Sequence, residues 1–309
     1  MQLKRITFIV NPNSSNGNTG RQWPQIRARA KDRLGAFKTL ITNGPGDATR
    51  LAREALLSGT DILVCVGGDG TLNEIVNGAM GKNGSPISEI LLGFIPRGTG
   101  CDLARSLPMP LEVDRALDNI CSCSHCYIDL GRLSYRDHDG HAMCCYFHNV
   151  VSFGLGGEVD ERVNRTSKIF GGFISFIWAT LISVLRFNKK CIHLRVDDDF
   201  EETVTGLNVA VANGQYHGGG MWVAPGAAMT DGLFQITVIG DLSKAQVIWN
   251  LPKLYNGKIY DVREIRRVIG SRIEASSPQA VLLDMDGEQP GRLPVAIEVV
   301  PSVFPLICG

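Results

Sequence analysis

Residues 61–74 read Asp-Ile-Leu-Val-Cys-Val-Gly-Gly-Asp-Gly-Thr-Leu-Asn-Glu, and their types suit chemistry on phosphate. The apolar run that opens the stretch reads as a buried strand. It stops at Gly67, Gly68, Asp69 and Gly70, whose three glycines permit positive φ and let the backbone come close to a ligand. Thr71 then opens a helix through Met80, with Leu72, Ile75, Val76 and Ala79 at helical spacing. Thr71 and Glu74 fit a capping box, the hydroxyl on one N–H and the carboxylate reaching back to another. A glycine turn between a strand end and a helix start presents N–H groups to an anion. Asp69 would repel that anion unless a cation stood between them. The turn therefore suggests a nucleotide held with Mg²⁺, whereas a turn that binds nothing leaves Asp69 unexplained.

Other polar groups follow apolar runs in the same way. Asn11 opens a polar loop, Asn11 to Gly20, after the strand Ile6 to Val10. Thr42 follows a strand Phe37 to Ile41, and Thr99 lies in Arg97-Gly98-Thr99-Gly100-Cys101-Asp102 after a strand Ile90 to Pro96. Neither a P-loop nor a Gly-x-Gly-x-x-Gly fingerprint occurs, which excludes those two routes to a nucleotide. Later, Asp286-Gly287-Glu288 follows the apolar run Ala280 to Leu283, so that a strand end can aim a carboxylate. Taken alone, that tripeptide and Asp231-Gly232 are both ordinary turns.

The elements that must position these residues come in two styles. Up to about residue 127, strands alternate with helices at Gln22 to Leu34, Asp47 to Leu57, Leu103 to Ser106 and Glu112 to Ile120. That alternation predicts a parallel sheet covered by helices. Ligands of such sheets sit beyond the carboxyl ends of the strands, where Asn11, Thr42, Gly68 to Glu74 and Thr99 all fall. From there on, period-two runs take over: Cys191 to Val196, Leu207 to Ala212, Leu233 to Ile239, Ala280 to Leu283 and Val295 to Val299, with a hairpin turn at Asp197-Asp198-Asp199. They predict a mostly antiparallel second domain, a β-sandwich. The expected division is 1–127 for an α/β nucleotide-binding domain, 294–309 returning to it, and 128–293 for the β-rich domain.

Composition narrows the class. The chain has 309 residues, enough for about two domains. Lys plus Arg equals Asp plus Glu at 31 each, so no basic excess argues for nucleic acid. Nine cysteines are an odd number. Only Ile6 to Val10 separates Lys4-Arg5 from Asn11-Pro12, too short for a secretory h-region, so reduced thiols and a cytoplasmic location are expected. Cys121, Cys123, His125 and Cys126, with Cys144-Cys145, lack the spacing of structural zinc knuckles and read as unrelated thiols. His217, in a glycine-rich loop, is left without a role.

Gly67-Gly68-Asp69-Gly70-Thr71-Leu72-Asn73-Glu74 resembles the signature of the diacylglycerol kinase catalytic-domain family, which includes bacterial soluble lipid kinases and is related to sphingosine and ceramide kinases. Asn11-Pro12, Thr42 with Gly46-Asp47-Ala48, Pro96 to Arg105, Ile128-Asp129-Leu130-Gly131, Asn213-Gly214 through Phe234, and Asp286-Gly287-Glu288 resemble further family segments in order. The resemblance implies an ATP-dependent lipid kinase that phosphorylates a hydroxyl of a lipid such as diacylglycerol. Its fold would be a nucleotide domain like that of NAD kinases followed by the sandwich. By the same resemblance Asn11, Thr42, Gly68, Asp69, Gly70, Thr71, Leu72, Asn73, Glu74 and Thr99 would hold ATP. The carbonyls of Ala228 and Leu233 with the Asp231 side chain would hold a structural Mg²⁺. Glu288 would be the catalytic base, and Asp69, Asp102 and Asp129 would complete the acidic network.

Two departures stand out. Cys101 replaces the family's usual Asn, and a thiol cannot reproduce an amide's hydrogen bonds. Arg97 stands where a small residue is common and offers charge to phosphate. Two rival functions share these features: an NAD kinase-like small-molecule kinase, opposed by the Asp-Gly-Glu placement, and a catalytically inactive nucleotide- or lipid-binding protein, opposed by Glu288 and Asp69. The expected partners are ATP, a membrane lipid acceptor and, peripherally, the membrane itself; a homodimer is left open. The uncharged stretch Ile169 to Leu185, between Lys168 and Arg186, reads as a helix, with packing on the second domain and contact with the bilayer both left open.

Overall fold

A computed structural model describes residues 4–81, 83–107, 109–158 and 189–308. The stretch Ile169 to Leu185 lies outside the described residues. Among those described, no helix is long and apolar enough to cross a membrane. The chain forms two compact units, Met1–Asp129 with Pro301–Gly309, and Leu130–Val300.

The first unit alternates strand and helix: β1 (Ile6–Val10), α1 (Asn18–Leu34), β2 (Lys38–Ile41), α2 (Asp47–Leu57), β3 (Ile62–Gly67), α3 (Asp69–Ala79), β4 (Leu91–Pro96), α4 (Asp102–Ser106) and α5 (Val113–Ser122). The strands are parallel in the order β2-β1-β3-β4. β1 and β3 are buried along their whole length, as central strands of a covered parallel sheet must be. Phe8, Val10, Val64 and Ile95 meet Ile26, Ala30, Leu117 and Ile120 of α1 and α5 in one core. The polar loop after β1 is shorter than its composition suggests, because α1 begins at Asn18 behind Gly17, which takes φ 77°.

The second unit takes the rest of β5 (His125–Arg136), followed by β6 (Ala142–Phe147), β7 (Val150–Gly154), β8 (Lys190–Val196), β9 (Phe200–Gly206), β10 (Asn208–Ala212), β11 (Tyr216–His217), β12 (Met221–Trp222) and β13 (Phe234–Ile239). After these come α6 (Lys244–Asn250), β14 (Ile265–Gly270), β15 (Arg272–Ser276), β16 (Leu283–Met285) and β17 (Arg292–Ile307). One antiparallel sheet runs β14-β13-β10-β7-β16, and a second antiparallel set contains β17, β15, β8 and β9. Phe153, Val211, Phe234 and Ile236 of the first meet Ile192, Leu194, Ile273 and Ile297 of the second in a shared core, which makes the sandwich. Residues of β17 from Pro301 onward belong to the first unit, where Leu306 pairs in parallel with Leu92.

Gly131 shows how tightly this unit is filled. It lies opposite Phe147 in the β5–β6 pair, and the Phe147 ring occupies the space a Cβ would need. Phe147 is itself fully buried and stacks on Phe234 at 5.7 Å. Gly131→Ala should therefore lower stability by about 1–3 kcal/mol, the usual cost of overpacking a filled core. Urea unfolding of the two proteins measures it, and a loss within experimental error would mean that the ring has room to move.

Candidate functional site

Four loops leave the carboxyl ends of β1 to β4, and side chains of α3 tie them together. The Asp69 carboxylate accepts from the N–H groups of Asp102 and Leu103, at 3.1 and 3.2 Å, at the start of α4. The Glu74 carboxylate accepts from Gly46 at 2.8 Å and Ala48 at 2.9 Å, at the start of α2. Thr71 Oγ1 accepts from Asn11 Nδ2 at 2.8 Å, and Asn11 Oδ1 accepts from Asn13 N–H. The capping box predicted for Thr71 and Glu74 does not form: α3 starts two residues earlier, behind Gly68, and Glu74 caps α2 rather than its own helix. The Asp69 carboxylate thus meets two main-chain N–H groups of the neighbouring loop.

The glycines of the signature answer to packing as well. Gly67, Gly68 and Gly70 all keep ordinary negative φ. A Cβ on Gly68 would come within 3.0 Å of Gly98 Cα, and one on Gly67 within 2.9 Å of the Thr71 side chain. These glycines let the β3 and β4 loops touch.

This arrangement leaves main-chain donors where an anion could use them. No side chain caps α3, so its first-turn N–H groups have no such partner. Arg97, at the end of β4, is half-buried, and its Nε is buried without a hydrogen-bond partner among the described residues. Burial pushes the Arg97 guanidinium below its usual range. Thr42 is buried and Thr99 exposed, while Leu72 and Asn73 are buried within α3. Cys101 takes φ 50° and accepts from the Gly98 N–H at 3.3 Å through Sγ. Burial, with Asp69 nearby, pushes its thiol up to about 11.

The remaining acids divide by position. Asp102 is buried at the start of α4. Asp129 is also fully buried, and its Oδ1 accepts from Ser302 N–H at 2.6 Å, where β17 enters the first unit. That contact fastens the returning strand.

In the second unit the Asp-Gly-Glu tripeptide is a hairpin turn with φ 49° at Asp286 and 88° at Gly287, the positive pair of a type I′ turn. Met285 and Glu288 exchange main-chain hydrogen bonds across it, and the Glu288 residue is exposed. Of the two acids of the turn, Glu288 is exposed to solvent and Asp286 is not. The Asp286 side chain is 1% exposed, accepts from Val150 N–H at 2.8 Å and His148 N–H at 3.2 Å, and lies 3.1 Å from His148 Nδ1. Burial raises its carboxyl, but the His148 imidazole and the two N–H groups outweigh this and hold it below the usual value. The proposed metal ligands lie elsewhere in this unit. Asp231 is exposed, with Oδ1 accepting from Leu233 N–H at 3.0 Å across Gly232, and Ala228 is exposed before it. One carboxylate and two carbonyls make an all-oxygen donor set, which suits a hard cation. Among the described residues, the metal-type side chains that cluster are Asp137, Asp139 and His141 at an exposed turn, not Asp231.

The sequence gives no sign of a cavity of about 130 Å³ inside the second unit. Its walls include Leu155, Leu207, Leu242, Ile259 and Val262. Its polar residues include Ser152, His217 and Asp284. Asp284 is buried, lies 2.6 Å from His217 Nε2 and accepts from Ser152 Oγ at 3.2 Å. Its other oxygen accepts from Gly287 N–H at 3.1 Å, so one carboxylate joins the cavity to the turn that carries Glu288.

Residues 5–133 match the diacylglycerol kinase catalytic domain, and residues 149–308 match the YegS C-terminal NAD kinase beta sandwich-like domain. A Mycobacterium tuberculosis protein named diacylglycerol kinase is 27% identical over 308 residues, covering 99% of this chain and 96% of its own. A Bacillus subtilis protein of the same name is 26% identical over 294 residues, covering 94% and 92%. Among solved structures, a putative diacylglycerol kinase from Bacillus anthracis superposes with a TM-score of 0.77 at 23% identity, covering 100% and 99% of the two chains. Yeast NADH kinase complexed with NADH superposes at 0.57 with 13% identity, covering 99% and 83%. The two structures show the fold alone.

Asp286 supplies a test of the hairpin. Asp286→Asn removes the anion held against His148 and should cost about 3 kcal/mol, as removing one partner of a buried pair does. The wild-type carboxyl is depressed in the fold, so its contribution is complete above the ordinary carboxylate pKa of about 4 and is lost as pH falls through the folded value. Unfolding free energy of the variant should therefore start lower and vary less in acid. Equal stability at neutral pH would show that the pair contributes nothing.

Proposed function

The chain belongs to the diacylglycerol kinase catalytic-domain family, and on that premise we propose that it transfers the γ-phosphoryl group of ATP to the hydroxyl of a lipid such as diacylglycerol. The observation that carries the lipid half is the cavity of the second unit. Apolar cavities of about 150 Å³ stay dry and take up apolar guests. Here the apolar walls suit part of an acyl chain, and Ser152, His217 and Asp284 supply polar partners for the hydroxyl-bearing end. No Lys or Arg lines the cavity among the described residues, so the phosphates of a dinucleotide acceptor would find no cation there. That argues for a lipid over NAD as acceptor.

The nucleotide half rests on the first unit. The uncapped start of α3 offers N–H groups to phosphate, and Arg97 is a half-buried cation whose Nε has no hydrogen-bond partner among the described residues. Thr42 and Thr99 lie past the neighbouring strand ends. Asp69, Glu74 and Asp102 act by holding the loops. Asp231 with the carbonyls of Ala228 and Leu233 would hold a structural Mg²⁺. Phosphoryl transfer asks mainly for positioning and charge, with a base for the attacking hydroxyl. In this reading Glu288, exposed on a rigid turn, takes that proton. A peripheral, cytoplasmic enzyme that works at a membrane surface follows from the acceptor.

Two substitutions test the halves separately. Glu288→Gln keeps the shape but cannot accept a proton, so kcat should fall by about 10²–10⁴ with ATP affinity unchanged. A drop of less than about tenfold would assign the proton to another group. Arg97→Met should weaken ATP binding by about tenfold, since a hydrogen bond to a charged group is worth roughly 1.5–3 kcal/mol. Arg97→Lys should restore part of that, and calorimetric titration with ATP reads both. Unaltered ATP affinity in Arg97→Met, with the fold intact, would remove the arginine from the nucleotide site.

A further inference from the structure

One wall of the cavity is thin. Val247, Asn250, Leu251 and Leu254 line it, and all four belong to α6 and the 3₁₀ turn Leu251–Leu254 that continues it. No residue of either is fully buried. The helix is fixed at its start by a capping box, in which Ser243 Oγ accepts from Gln246 N–H and Gln246 Oε1 from Ser243 N–H.

The outer side of this wall is unusual for a face that meets only water. Trp249 is 85% exposed, and Ile248 and Tyr255 of the same segment are exposed as well. From Leu242 through Tyr260 the chain carries Lys244, Lys253 and Lys258 and no Asp or Glu. Asp241, just before this stretch, is paired with Lys189. An exposed tryptophan among lysines matches the water–lipid boundary, where the indole lies at headgroup depth and the cations meet anionic lipids.

We propose that α6 and its 3₁₀ turn dock on an anionic bilayer through Trp249 and Ile248, and that an acyl chain passes beside them from the bilayer into the cavity they cover. The occupant of the exposed face is thus the membrane surface. Charge complementarity supports that choice, and so does continuity, since the same short segment lines the cavity on one side and exposes Trp249 on the other. The proposal rests on the lipid-acceptor reading of the cavity and adds the place where the lipid enters.

The test compares wild type with Trp249→Ser and Ile248→Ser by sedimentation with phosphatidylcholine vesicles, with and without phosphatidylglycerol. Turnover is measured in parallel on monomeric short-chain diacylglycerol and on long-chain diacylglycerol in the same vesicles. Trp249→Ser should weaken binding to the phosphatidylglycerol vesicles by about tenfold or more, the equivalent of ~1.4 kcal/mol. The melting temperature and turnover on the monomeric acceptor should hold, while turnover on vesicles falls. Vesicle binding of wild type should weaken without phosphatidylglycerol and at high salt. Wild-type vesicle binding by both variants would overturn the proposal. So would a loss of self-association in Trp249→Ser with vesicle binding intact, which would make a second copy of the chain the occupant. If wild type phosphorylates neither form of diacylglycerol yet binds vesicles through Trp249, the docking surface stands and the lipid kinase reading falls.

Discussion

The first unit depends on two carboxylates that meet main-chain N–H groups across loops. A parallel sheet ends in a row of loops, each followed by a helix whose first N–H groups lack partners. Asp69 supplies those of α4 and Glu74 those of α2. Each such cap is typically worth about 0.5–2 kcal/mol. Here the acceptors come from a third helix, so each also fixes the distance between elements that no sheet hydrogen bond controls. Thr71 ties in the loop after β1 through Asn11. α3 is thus a brace, and its own first-turn donors are left without a side-chain cap because the acids of its signature are engaged elsewhere.

The second unit repeats the device. Asp286 and Asp284 are buried acids on one hairpin, and burial alone would make their charge costly. Asp286 is compensated by the N–H groups of His148 and Val150 and by the His148 ring. Asp284 is compensated by Gly287 N–H, Ser152 and His217. The result is a turn with positive φ at two successive residues, locked from both sides and presenting Glu288. Asp284 has a second consequence. Its two oxygens serve the cavity and the turn at once, so a shift at the cavity's polar residues is felt at the base of Glu288.

How much of this was legible follows from what each pattern encodes. Strand and helix alternation and the late period-two runs report local burial, and they delivered the α/β unit and the sandwich. Thr71 and Glu74 have the spacing of a capping box, but spacing cannot tell which N–H groups the carboxylate reaches; Gly46 and Ala48, distant in sequence, outcompeted the local donors. The glycines of residues 67–70 were legible as a place of close approach, yet not that Gly98 was among the things approached. Asp286-Gly287 was legible as a turn, since two positive φ values favour that pair. Its burial was not, because His148 and Val150 come from another part of the chain. The cavity was invisible because its walls are drawn from residues 150–284, and neither residue type nor spacing marks them as neighbours.

Cys101 shows how such a brace tolerates a change in the motif. Its φ of 50° lies in the left-handed region, where Asn is far more at home than Cys, so the backbone there is dictated by the loop rather than by the side chain. The loop has little freedom to relax: Gly98 is pressed against Gly68 on one side, and Asp102 N–H is held by Asp69 on the other. The thiol hydrogen-bonds within its own loop. Sγ accepts from Gly98 N–H at 3.3 Å and lies 3.5 Å from Gly98 O. Burial keeps it protonated at neutral pH, its pKa being pushed up to about 11, so no negative charge is added beside Asp69. The substitution therefore leaves the electrostatics of the loop intact and costs conformational energy locally, which the contacts on either side are placed to bear.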